Sequence, residues 1–224
     1  MAKDSKFSLN TGVWGRDGVD EISDQQFFAA LAGFLVYGLA GTALVAYKVA
    51  LSGYIPGQGA MIVLGLVIPI IGIVIAVKSD QPMLSFLGYN MVLLPFGIVI
   101  SPIVHIYAPH VIMNAFTLTC GVAISMGTAG VLFPDIFKSL GGVLFYSLLA
   151  LILVSFLRMF IPGLVPVGAI DYAGAAIFSL YIGYDMYRAT AVPKTLDNAI
   201  DIALDLYLDV INLFLFILRI LGDD

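Results

Sequence analysis

The stretch AMIVLGLVIPIIGIVIAV, Ala60 to Val77, contains no charged side chain and no side chain that can hydrogen-bond. A bilayer core about 30 Å thick needs roughly 20 apolar residues for each helical crossing, and this stretch reads as one, interrupted only by Pro69. Working outward, six more segments have the same character, at 27–47, 84–107, 111–132, 140–160, 164–187 and 199–221. The segment 84–107 holds Pro95 and Pro102, which predicts a bend or break whose freed carbonyls face protein or water rather than lipid. The connections, among them Ser52–Gly59, Lys78–Pro82 and Pro134–Ser139, are too short to hold a soluble domain. The expected organisation is a polar tail over 1–26, one seven-helix membrane domain over 27–221, and a short acidic end at 222–224.

Composition agrees. Hydrophobic residues make up 61% of the 224 and charged residues 11%, against roughly 25% charged in a soluble domain. A soluble surface would be short of charge, whereas a bilayer needs no charged coat. The net charge of −5 comes mostly from acids in the N-terminal tail and in the last thirty or so residues. No basic run points to nucleic acid, and the lone Cys120 leaves no basis for an internal disulfide or a thiolate metal cluster. The tail is polar and acidic, unlike a secretory leader, so the first apolar segment is expected to remain as a helix.

Orientation follows from Lys and Arg. With the N-terminus cytoplasmic, Lys3, Lys6, Arg16, Lys78, Lys138, Arg188 and Lys194 share that side, and Lys48, Arg158 and Arg219 lie opposite. That bias predicts N-in and, with seven crossings, C-out. Small residues at helix-packing spacing (Gly33, Gly38 and Gly41; Gly168, Ala169, Ala173 and Ala176) predict close helix crossings.

Chemistry concentrates at the C-terminal end. The sixth segment ends FSLYIGYDMYRA, with Asp185 near its cytoplasmic end. The seventh reads DNAIDIALDLYLDVINLFLFILRILG (Asp197–Gly222) and sets Asp201, Asp205 and Asp209 at i, i+4 spacing along roughly one face. Asn212 lies one turn further on. A carboxylate near the middle of a membrane helix costs on the order of 2.5–3.5 kcal/mol on insertion scales, so Asp209 is a functional candidate with an expected partner. Asp201 and Asp205 read as the mouth of a pathway or as structural acids, and Asp197 as a helix cap or dipole partner. His105 and His110 flank one loop with no acid nearby, and Arg158 and Arg219 read as snorkelling anchors.

Three stretches carry a resemblance. LYLDVINLFLFILRILG (Leu206–Gly222) resembles the C-terminal signature of the Bax inhibitor-1, or transmembrane BAX-inhibitor-motif, family. SLYIGYD (Ser179–Asp185) is similar to that family's sixth helix, and GIVISPI (Gly97–Ile103), with Ser101 and Pro102, resembles its third-helix Gly–Ser–Pro motif. The resemblance implies six helices wrapped around a central, acid-bearing seventh. It also implies a pH-sensitive calcium leak channel, with Asp185 and Asp209 as the sensing pair and as possible calcium ligands. Asp205, Asp201 and Asn212 would line the ion pathway. The family's basic latch on the sixth-helix acid would fall to Lys78, which lacks the bidentate fork of Arg.

The physics of such a pair stands by itself. Two carboxylates close together in a low-dielectric site cannot both ionise cheaply, so they share a proton in acid and repel one another once it leaves. Acid is therefore expected to close the path, and loss of the proton to open it and supply the charge a hard divalent cation prefers. The expected cargo is calcium, with no tightly bound cofactor and no enzymatic role, and the partners are the lipid bilayer and calcium ions. Two rival readings stand beside this. One is a regulatory or interaction protein, a cell-death or membrane quality-control partner whose leak is incidental. The other is an intramembrane aspartyl protease, for which Tyr184–Asp185 supplies one half, while Asp209 lacks the Gly-x-Gly-Asp context of the other. The compact loops favour a prokaryotic plasma (inner) membrane, or an endoplasmic-reticulum-type membrane in a eukaryote.

Overall fold

The structure is a computed structural model that describes residues 21–161 and 163–222. Most of the polar tail, with Lys3, Lys6 and Arg16, and the acidic end at 223–224 lie outside the described residues. Seven helices follow in order: α1 (Asp24–Ser52), α2 (Gln58–Lys78), α3 (Pro82–His105), α4 (Pro109–Leu132), α5 (Pro134–Phe160), α6 (Val167–Ala191) and α7 (Leu196–Gly222). The only β-pairing among the described residues is an isolated bridge between Glu21 and Thr195.

Local chemistry sets the boundaries. Ser23 and Gln26 form a reciprocal capping box that starts α1, and Gly53 ends it at φ +67°. Pro82, Pro109 and Pro134 open α3, α4 and α5, where a missing N–H costs nothing. The stretch Pro134–Ser139, expected as a loop, is therefore the start of α5, with Asp135 in its first turn. In α2 the turn Val63–Val67 widens to π geometry just before Pro69, which relieves the clash between the proline ring and the preceding turn. Of the bend or break expected at Pro95 and Pro102, the break does not occur. α3 stays helical through both, to His105.

The burial pattern is that of a protein in lipid. Large apolar side chains such as Val36, Leu66, Val77, Ile124, Phe145 and Phe156 stand exposed on the outside of the bundle. An apolar surface of that extent does not face water. Helices α1 to α5 are each long and apolar enough to cross a bilayer. α6 and α7 are equally long but carry the acids. The chain is an all-helical integral membrane protein.

α7 is the axis of the packing. It lies against α6, α1, α4 and α3, while α2 packs chiefly on α3, and α5 on α6. One flank of α7 (Ala199, Ile202, Leu206, Leu213) joins a core with Phe178, Ile182 and Ala115. Another flank (Ile200, Ala203, Leu204, Tyr207) joins a core with Tyr89, Val92 and Leu93. Tyr207 is pinned through its hydroxyl to Thr42, whose own hydroxyl reaches the Leu93 carbonyl. A third face is left for Asp201, Asp205 and Asp209. The closest helix crossings are Gly72 on Gly88 and Gly130 on Gly183, where an added Cβ would run into backbone. Of the glycines singled out in the sequence, Gly38 and Gly41 meet neighbouring side chains, whereas Gly33 and Gly168 face open space.

Candidate functional site: a buried acid cluster between two helices

The last two turns of α6 and the first half of α7 bring together four carboxylates and one guanidinium. Asp185 and Asp209 are both buried, 4% and 6% exposed. They are electrostatic neighbours across the α6–α7 contact, and two carboxyl groups hydrogen-bond to each other only when they share a proton. The second oxygen of Asp209, Oδ2, is buried without a hydrogen-bond partner, as is Oδ1 of Asp201. Arg188, one turn beyond Asp185, bridges the helices: its Nη1 donates to Asp185 Oδ1 at 2.9 Å and to Asp205 Oδ2 at 2.7 Å. The Asp205 side chain is a third exposed, so the cluster opens to the surface there. Asp201 continues the acid face one turn nearer the helix start.

Other expected participants lie elsewhere. Lys78 is exposed at the end of α2 and makes no ion pair among the described residues. The cation on Asp185 is instead Arg188, from the same helix as the acid. Asn212 donates back to the Leu208 carbonyl of its own helix and does not reach the pair. Ser101 is buried inside α3 and Pro102 half-buried, in the segment that continues without a break. Asp197 lies in the first turn of α7, where the helix dipole favours an acid, but it does not cap the helix. Thr195 does, accepting from the Asn198 N–H, and Asp197 is buried and accepts from Ser85 of α3 at 2.6 Å. His105 and His110 are exposed, and Cys120 is half-buried. Among the described residues no group of three or more His, Cys, Asp or Glu side chains gathers with the spacing of a metal site.

A second buried ion pair closes the other end of the same two helices. Arg219, expected as a surface anchor, donates from Nε to Asp171 Oδ1 at 2.6 Å and stacks over Phe216 at 4.5 Å. Asp171 is 2% exposed and its Oδ2 has no partner. An acid inside one apolar segment and an Arg near the end of the next are visible in the sequence, but nothing in it pairs them.

Fold and site together define a class: an integral membrane bundle that keeps its acids inside and its hydrocarbon outside. The chain belongs to the family described as Inhibitor of apoptosis-promoting Bax1, which it matches over residues 24–224. It is 27% identical to the inner membrane protein YbhL of Escherichia coli (strain K12) over 215 residues, covering 89% of this chain and 92% of that one. A BI1-like protein of Arabidopsis thaliana is 42% identical over 92 residues, 39% of this chain and 35% of the plant protein. The Golgi anti-apoptotic protein of Vaccinia virus (strain Lister) is 32% identical over 126 residues, 56% of this chain and 52% of the viral one.

Proposed function

We propose that this protein is a cation leak pathway, with calcium as its cargo, gated by protonation of the Asp185–Asp209 pair. The observation that carries the reading is Asp209: a buried acid about twenty ångströms along its helix, set against a second acid, with one oxygen left unpartnered. A bundle gains no stability from such an arrangement, so the cost is retained for work. Asp201 and Asp205 form the approach to the pair, and Arg188 occupies the approach as a tethered counter-charge. Calcium prefers six to eight oxygen ligands. A cluster with fewer acids than a closed metal site suits a cation passing with its water better than one held. Loss of the shared proton sets two negative charges against each other, loosens α6 from α7 and raises the attraction for a cation; acid reverses both.

All seven helices cross the bilayer in this reading, the N-terminus is cytoplasmic, and the membrane is a bacterial inner membrane, in keeping with the name of the Escherichia coli relative. No covalent chemistry and no resident cofactor are assigned to the bundle. The test is calcium entry into dye-loaded proteoliposomes between pH ~5 and ~8.5, a range chosen to bracket the titration of a coupled carboxyl pair. Flux that rises with pH, and loses that dependence in Asp209→Asn, supports the reading. Flux that rises as pH falls reverses the sign, and silence at every pH removes the channel.

The name of the viral relative favours one second reading, a regulatory membrane protein acting through partners. It places the essential residues in the tail or loops, so removal of residues 1–20 should then abolish function while Asp209→Asn should not.

A further inference from the structure

The short hinge between α6 and α7 is held by more bonds than a connector needs, and one side chain makes most of them. Lys194 Nζ donates to three carbonyls at the end of α6: Ala189 at 2.7 Å, and Thr190 and Val192 at 3.0 Å each. These are the acceptors that a helix C-terminus leaves unsatisfied, and a cation is favoured there by the helix dipole. The same ammonium sits 5.0 Å from the ring centre of Phe27 and 5.8 Å from that of Phe28, within cation–π range. Phe27 is fully buried.

The segment before α1 joins the hinge through its backbone too. The Ile22 N–H donates to the Lys194 carbonyl at 2.7 Å, and Glu21 pairs with Thr195, the residue that caps α7. The Val192 N–H returns to the Arg188 carbonyl, and Asn198 Nδ2 and the Thr195 N–H both reach the Pro193 carbonyl. Arg188, Ala189, Thr190, Val192, Pro193, Lys194, Thr195 and Asn198 are therefore tied to one another or to the start of α1. Arg188 is the last charged residue of α6 before this knot, and its reach to Asp205 depends on where the knot holds that turn.

We propose that Lys194, clasped by Ile22, Phe27 and Phe28, is a positioning residue that holds Arg188 on Asp205, so that the segment entering α1 controls the guanidinium plug of the acid cluster. The role assigned to the plug rests on the cation-pathway reading; the clasp itself does not. In the clasp, Lys194 neutralises the end of α6 and the paired phenylalanines fix the ammonium from the far side. Pulling the N-terminal segment away would free the last turn of α6, and with it Arg188.

The test uses the full chain in nanodiscs and in proteoliposomes, as native protein, Lys194→Gln, Lys194→Arg, Arg188→Gln and the Lys194→Gln/Arg188→Gln double variant. Hydrogen exchange across residues 186–198 is expected to rise about fivefold in Lys194→Gln, the factor one lost hydrogen bond implies, and to fall back toward native in Lys194→Arg. Calcium entry should rise in Lys194→Gln and in Arg188→Gln and stay near native in Lys194→Arg, with no further rise in the double, because residues acting through one contact are not additive. Unchanged exchange in Lys194→Gln overturns the clasp. Altered exchange with flux effects that multiply independently overturns its action through Arg188. If the native protein passes no calcium, the cation-pathway reading falls, and the exchange measurement alone decides the clasp.

Discussion

Nη1 of Arg188 lies 2.9 Å from Asp185 Oδ1 and 2.7 Å from Asp205 Oδ2, so a single nitrogen joins α6 to α7 across the mouth of the acid cluster. The guanidinium brings a permanent positive charge to the place where a permeating cation would sit. Arg188→Gln removes that charge and leaves the acids in place. Calcium entry at neutral pH should increase by about an order of magnitude, the range of one charge-assisted hydrogen bond. Flux measured in liposomes checks this; a rate equal to native would show that Arg188 does not occupy the path.

In the proposed gate, a proton shared by Asp185 and Asp209 would give the pH dependence its sign. Asn resembles a protonated Asp in shape and in lacking charge, so Asp209→Asn should behave as the acid form at every pH. Flux in this variant is expected to stay near the low level the native protein shows at pH ~5, without the rise toward pH ~8.5 expected of a coupled pair. Asp185→Asn should flatten the profile too, but it also reduces the Arg188 contact from an ion pair to a weaker hydrogen bond, so its baseline should sit higher than that of Asp209→Asn.

Much of this could be read from the sequence, and the failures have physical causes. Runs such as Ala60–Val77 reveal a membrane helix because lipid imposes a length and a composition. Asp185 and Asp209 stood out because a mid-membrane acid is costly. The family resemblance puts the basic partner of Asp185 on another helix, at Lys78, and hydropathy, which shows neither rotation nor tilt, offers no check on it. Arg188 lies one turn away from Asp185, and in the sequence it reads only as a charge favouring one side of the membrane. The sequence does not pair Asp171 with Arg219, because their separation along the chain does not reveal that α6 and α7 run side by side. A bend or break is expected at Pro95 and Pro102, and the helix α3 runs without a break through both.

Glycine spacing offers a further check on what sequence alone can show. Gly33 and Gly38 both sit in α1, but a Cβ at Gly33 would meet nothing within 4 Å, whereas one at Gly38 would strike the Tyr89 ring and hydroxyl. That hydroxyl is fixed by its bond to the Phe34 carbonyl at 2.9 Å. Gly38→Ala should therefore cost about 1–3 kcal/mol as an overpacked contact. Gly33→Ala should be neutral or slightly stabilising through helix propensity. Thermal unfolding in detergent separates the two, and equal effects would mean that α1 does not approach α3 as closely as described.

Arg158 and Arg219 looked alike in the sequence, each an arginine near a helix end, and the fold separates them. Arg219 is the counter-charge of Asp171, which is almost wholly buried and already has one oxygen without a partner. Arg158 is half-buried in the last turn of α5 and has no ion pair among the described residues. Removing one member of a buried pair leaves the other uncompensated, at a cost of about 3–5 kcal/mol, and here the exposed side of Arg219 brings the figure to the lower end. Arg219→Met should thus lower the unfolding midpoint markedly, while Arg158→Met should change stability by no more than about 0.5 kcal/mol, as ordinary surface substitutions do. In Arg219→Met/Asp171→Leu both charges are gone and an apolar contact replaces them. This double variant should recover most of the lost stability, because what the single variant loses is the pairing of Asp171, not the salt bridge as such. Failure of the double variant to recover would mean that Arg219 stabilises the bundle chiefly by stacking on Phe216, which Arg219→Lys would then fail to restore.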